Sequence, residues 1–173
     1  MNKEIAIAFL RTYQPMPDDQ DLSDELIRKY SKVRKYFKAH PTPDCIPLFL
    51  NSFGNGTVSG QYQLVADVLT QFENDKVVPH LAKALTSDRL PQVSWAAEIS
   101  AYFPSPNLVP ALKTLATHTD VDIRLFAIVA LDSNQMEDLD SFLTRLYASE
   151  EDELVLEILE DIMDNRGIDL NER

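Results

Sequence analysis

The sequence predicts an all-α protein built as a solenoid, with about five antiparallel helix pairs stacked one on the next. Three observations carry that expectation. Residues 76–131 state one motif twice: "VVPHLAKAL", a polar turn and an apolar run, then "LVPALKTLA", another turn and another run. Prolines keep step with it, since Pro47, Pro79 and Pro110 lie 32 and 31 residues apart and a further 31 reaches Ser141 in "DLDSFLTRLY". The apolar positions hold the same register, with Phe49, Leu81, Leu112 and Leu143 in one row and Phe53, Leu85, Ala116 and Tyr147 in another. A fixed period of this size marks an architecture in which each unit buries its apolar face against its neighbours.

The elements follow in order. The first pair, 2–39, has a helix over Asn2–Tyr13, the loop "QPMPDDQD", and a second helix over Leu22–Ala39 capped by Asp21 or Ser23. It joins the pattern because "KAHPTPDCIPLFL" lies over "AYFPSPNLVPAL" at one offset of 63 residues, setting Pro41, Pro43 and Pro47 on Pro104, Pro106 and Pro110. In the second pair, 43–73, Pro47 opens the first helix, where a missing N–H costs nothing. "GNGTVSG" holds three of the four glycines and forms the turn, with Gly54 as a helix C-cap. The second helix is read over Gln61–Phe72. Pro79 and Pro110 open the third and fourth pairs, 77–103 and 107–132. A fifth pair, 136–164, precedes a tail at 165–173. The second helices stack Tyr62, Val93, Ile123 and Leu154, then Ala66, Ala97, Ala127 and Ile158. In the last of them Leu154, Leu156, Ile158, Leu159 and Ile162 are expected to face inward.

"DVDIRLFAIVAL" (Asp120–Leu131) sets an acidic turn before Arg124, Ala127, Ala130 and Leu131. In this the chain resembles the HEAT repeat family, particularly the short bacterial HEAT-like type also found in phycobilin lyases, most clearly over residues 42–164. The resemblance implies a right-handed superhelix whose second helices line a concave face. The period of about 31 is shorter than the ≈ 40–47 usual for HEAT units. It is near the tetratricopeptide and ankyrin periods, whose Trp–Leu–Gly–Tyr and Thr–Pro–Leu–His signatures this sequence lacks.

On that concave side the pattern leaves a polar stripe. Ser31, Lys35 and Ala39 come from the first unit, and Gln63, Asp67, Thr70 and Gln71 from the second. Ser94, Glu98 and Tyr102 follow, then Arg124, Ile128 and Asp132. An ordinary solvated helix face accounts for any one of them; as a ladder they are the candidate partner-binding surface. Trp95 aligns with Leu64, Leu125 and Leu156 in an apolar row, so a packing role is expected. Tyr102 is the exposed aromatic candidate.

The formal net charge is −12. Residues 1–131 carry 14 acids and 13 bases, whereas 132–173 carry 14 acids and 3 bases, net −11. An acidic chain disfavours nucleic acid and anionic membranes. The six bases of Leu22–Ala39, from Arg28 to Lys38, are therefore read as a solvated helix face. Glu153, Glu157, Glu160 and Asp161 decorate the last helix. A polar end cap keeps a solenoid soluble, but it does not explain a single sign of charge, and a basic partner does.

Chemistry is sparse. His40, His80 and His118 have no His partner at i+4 and no following Glu, so neither a helical metal site nor the His–Glu pairs of iron-binding HEAT hydroxylases is present. The glycine-rich turn lacks the Gly-Lys-Ser/Thr ending of a phosphate loop. No Gly-x-Ser-x-Gly elbow nominates a nucleophile. Cys45 is the one cysteine, which leaves no intrachain disulfide. The apolar stretch Ile5–Leu10 is too short to span a bilayer, and a cytoplasmic protein is expected.

The expected function is therefore non-enzymatic, with no cofactor and no metal. A HEAT-like scaffold or adaptor binds another protein of basic surface, as an immunity-type inhibitor of a basic toxin would. Two alternatives stand beside it: a phycobilin lyase-like or bilin-chaperone protein, in which Arg124 pairs with a propionate, and an acidic mimic of nucleic acid. A monomer is expected, because contact between oppositely charged ends gives open-ended assembly.

Overall fold

The computed structural model describes residues 1–134, 136 and 138–168; Gln135, Glu137 and most of the expected tail, 169–173, lie outside the described residues. The described residues form ten α-helices and no strand. They are α1 (Lys3–Thr12), α2 (Asp24–Ala39), α3 (Cys45–Ser52), α4 (Ala66–Leu69) and α5 (Asn74–Ala84), then α6 (Leu90–Ser100), α7 (Val109–Leu115), α8 (Val121–Asp132), α9 (Leu139–Tyr147) and α10 (Glu153–Asn165). Alternate helices touch: α1 with α3, α3 with α5, α2 with α4, α6 with α8 and α8 with α10. Sequential contacts join α1 to α2, α5 to α6, α7 to α8 and α9 to α10.

Local chemistry starts the helices. Asn2 Oδ1 accepts from Ile5 N, and Ser23 Oγ, rather than Asp21, accepts from Leu26 N. Asp120 Oδ1 accepts from Ile123 N at 3.2 Å, and Asp152 Oδ1 from Leu154 N at 3.0 Å. Each such cap satisfies a donor that the helix itself cannot, worth about 1 kcal/mol. The row Phe49, Leu81, Leu112 and Leu143 is fully buried. Each of those side chains contributes roughly 1.5–3 kcal/mol of hydrophobic free energy.

Five local expectations are corrected. Gln61–Phe72 is not one helix: a 3₁₀ turn at Tyr62–Leu64 leads into the short α4. Tyr62 is fully buried, donating from its hydroxyl to Ser52 O at 3.0 Å and accepting from Gly54 N at 2.9 Å. Burial pushes that hydroxyl up to about 12. Left-handed backbone at Val58, Ser59 and Gly60 brings the chain into this anchor. Gly54 is not the C-cap of α3, which is Phe53; it serves close approach instead, since a Cβ there would lie 2.5 Å from Met16 O.

Pro79 does not open a helix. It sits inside α5, which begins at Asn74. In α10 the buried face is Val155, Leu159, Ile162 and Met163, while Leu154 is 60% exposed. The last unit is thus offset from its predecessor by 32 residues, which sets Asp152 on Asp120 and Val155 on Ile123. Finally, Arg34 is not part of a solvated face; it is buried beside Tyr30, Val33 and Phe37, and its Nε has no hydrogen bond.

Aromatic rings knit the first three units together. Tyr30 meets Phe49 and Tyr62 edge-on, with centroids 6.1 and 5.8 Å apart. Trp95 of α6 stacks on Phe53 at 5.7 Å and meets Tyr62 edge-on at 5.5 Å. Such pairs add about 0.5–1.5 kcal/mol each beyond their buried area. No helix among the described residues is long and apolar enough to cross a membrane.

Candidate protein-binding surface

The polar stripe divides into free and committed residues. Lys35, Gln63 and Asp67 are exposed, and Asp67 is bridged by Lys38 of the preceding unit at 2.8 Å. That hydrogen bond holds the Asp67 carboxyl below its ordinary value. Tyr102 is 59% exposed. Glu98, one turn before it, is half-buried, and it has neither a hydrogen bond nor a counter-charge among the described residues. Burial alone raises its carboxyl.

Of the fourth rung only Asp132 keeps an exposed side chain, and Arg166 pairs with it. Ile128 is fully buried. Arg124 is spent inside the molecule: Nε and Nη2 donate to the two oxygens of Glu150 at 2.9 and 3.0 Å, and Nη1 donates to His118 O and Thr119 O. Only 12% of the Arg124 side chain and 8% of the Glu150 side chain remain exposed. A guanidinium suits this role because its rigid fork matches a carboxylate and two carbonyls at once. Sequence spacing alone could not reveal the partner, which lies 26 residues away.

The acidic end divides the same way. Glu150 is paired with Arg124, Asp138 with Lys113 at 2.7 Å, and Asp132 and Asp140 with Arg166 at 3.3 and 2.6 Å. What remains is the outer face of α10. Glu153, Glu157, Glu160, Asp161 and Asp164 are all exposed, and no cation pairs with any of them among the described residues. Glu160 accepts from the Tyr147 hydroxyl at 2.6 Å, which orients it without neutralising it. Leu154 stands exposed on the same helix.

One surface cleft, of about 440 Å³, was not foreseen. Its walls are the Gly54–Thr57 turn, the face of α6 that runs from Leu90 through Trp95 to Glu98, and the first half of α8 with its cap Asp120, Asp122 and Phe126. Residues from three successive units meet there, which a one-dimensional pattern does not display. Among the described residues no group of three or more His, Cys, Asp or Glu is placed to hold a metal ion.

No protein-family model matches the chain, and no curated protein matches it.

Proposed function

We propose that this chain is a HEAT-like α-solenoid that acts by binding a basic protein, not by catalysis, with the outer face of α10 as its electrostatic contact. The observation that carries this reading is the contrast at the acidic end. Arg124, Lys113 and Arg166 neutralise four of its carboxylates, yet Glu153, Glu157, Glu160, Asp161 and Asp164 form one solvent-facing stripe with no cation partner among the described residues. Like charges at i, i+4 work against the helix by about 0.2–0.5 kcal/mol per pair. A stripe that weakens its own helix is accounted for by a partner that covers it. The alternate-helix contacts and the buried periodic row support the solenoid part of the reading. An immunity-type inhibitor of a basic toxin fits, as does an adaptor in a larger assembly. The bilin reading is weaker, because Arg124, its propionate anchor, already serves Glu150.

The experiment is affinity capture from native lysate with the wild-type chain and with a variant carrying Glu157→Gln, Glu160→Gln and Asp161→Asn. A basic protein retained in stoichiometric amount by the wild type, released by salt and lost in the variant is the expected result. Retention that ignores both salt and the variant overturns the reading.

A further inference from the structure

Among the described residues, the cleft between α6 and α8 is lined by three carboxylates and no cation. Asp120 is committed to capping α8. The side chains of Glu98 and Asp122 have no hydrogen bond or ion pair, and neither Lys nor Arg lines the walls, among the described residues. Arg89, next to Leu90 in sequence, turns away and donates to Phe53 O, Asn51 O and Gln92 Oε1.

Two helix N-termini open here, and their dipoles work in the opposite direction. Each is equivalent to roughly +0.5 of a charge, so together they offset about one carboxylate of the three. The site remains a cation site by about two charges.

The rest of the lining is apolar. Leu90 is 53% exposed. Trp95 is held by Phe53 and Tyr62, so its ring is placed before anything binds. An inorganic cation makes no use of such walls. A lysine ammonium is compact and strongly hydrated, whereas a guanidinium is planar, more weakly hydrated, packs on aromatic surfaces and still donates to carboxylates. The volume, about 440 Å³, exceeds what one long side chain fills, leaving room for the backbone of the segment that carries it.

We propose that the Trp95–Glu98 cleft seats an arginine side chain from an extended basic segment of a partner protein, its guanidinium between Glu98 and Asp122 and its stem against Leu90 and Trp95. This rests on the reading of the chain as a binder of a basic protein and gives that partner a second contact, distinct from the face of α10. The acidic stripe supplies long-range attraction, and the cleft selects the side chain.

Trp95 is the one tryptophan of the chain, so its emission reports on this cleft alone. The test is a titration of the full-length protein with a hexa-arginine peptide, followed by tryptophan fluorescence. A saturable change in Trp95 emission is expected for the wild type. Glu98→Gln and Asp122→Asn, near-isosteric changes that break no side-chain hydrogen bond or ion pair among the described residues, should each weaken the midpoint about tenfold. The variant neutralised on α10 should keep a saturable Trp95 response. No emission change in the wild type, or wild-type midpoints in both cleft variants, overturns the assignment. A hexa-lysine peptide acting at the same concentration overturns the choice of arginine. Partner capture that survives without a Trp95 response removes the cleft alone; a Trp95 response without capture removes the α10 reading alone.

Discussion

The pair of Arg124 and Glu150 ties α8 to the turn before α10, with 12% and 8% of the two side chains exposed. Desolvation pushes the Glu150 carboxyl up, but hydrogen bonds from Asp152 N, Arg124 and Glu151 N outweigh it and hold the carboxyl below its ordinary value. A depressed carboxyl contributes stability that is present above its unfolded titration, near 4.3 for glutamate, and is lost as pH falls through the folded value. Arg124→Ala leaves Glu150 charged and enclosed, and should cost about 3 kcal/mol at pH 7, since breaking one partner of a buried pair is far worse than lacking the pair. Urea unfolding should show that loss shrinking as pH drops below the carboxylate range. A loss that does not change with pH means the pair is not ionised. The sequence singled out Arg124 but set it on the surface. Nothing in the local pattern of α8 distinguishes an arginine that faces water from one that faces a carboxylate in the next unit.

At the scale of elements, the caps and the apolar spacing were legible and the breaks were not. Ser23 and Asn2 start their helices by hydrogen bonds that reach only three residues, so the signal lies within the window that is read. Gln61–Phe72 carries helical periodicity but is interrupted, because the Tyr62 hydroxyl is anchored to Ser52 at the end of α3 and to Gly54 in the turn after it. The α10 register slipped by one because Leu154 and Val155 are both apolar, and the choice between them falls to the packing against α8 and α9. Pro79 shows the cost of one such irregularity. Inside α5 it has no N–H to give to the Asp75 carbonyl, one turn back. Proline is about 3 kcal/mol worse than alanine in a helix interior, offset by up to about 1 kcal/mol of unfolded-chain entropy and reduced further near the helix start. Pro79→Ala, at an exposed position, should therefore stabilise the protein by about 1–2 kcal/mol, read as a higher urea midpoint. A lower midpoint would show that the proline ring itself packs usefully.

For the whole molecule, the outer face of α10 sets stability against association. Replacing Glu157, Glu160 and Asp161 with Gln, Gln and Asn removes the i, i+4 repulsions 153–157, 157–161 and 160–164. The free protein should gain about 1 kcal/mol, while Glu153 is kept because it suits the helix N-terminus. Thermal unfolding at low and high salt reads this directly: salt should raise the wild-type midpoint more than that of the variant. Equal salt responses would show that the stripe is already balanced by charges elsewhere. Together with the capture experiment, this separates a face kept acidic for a partner from one that merely keeps the chain soluble.

The sequence by itself determined that the chain is all-helical, where most helices begin, and which rows of leucine and phenylalanine are buried. Those properties are written in spacings of three or four residues and in a period near 31, and hydrophobic burial acts on them wherever the neighbouring unit lies. Only the tertiary structure decided which charges are spent and which are free. Arg124 meets Glu150, Lys113 meets Asp138, and Arg166 meets Asp132 and Asp140 across 25 to 34 residues. Glu98 meets no cation among the described residues. The same holds for the Trp95 cleft, whose walls come from three units. Ion pairs act over a few ångströms and depend on how separate units are placed, and that placement follows from packing the whole array.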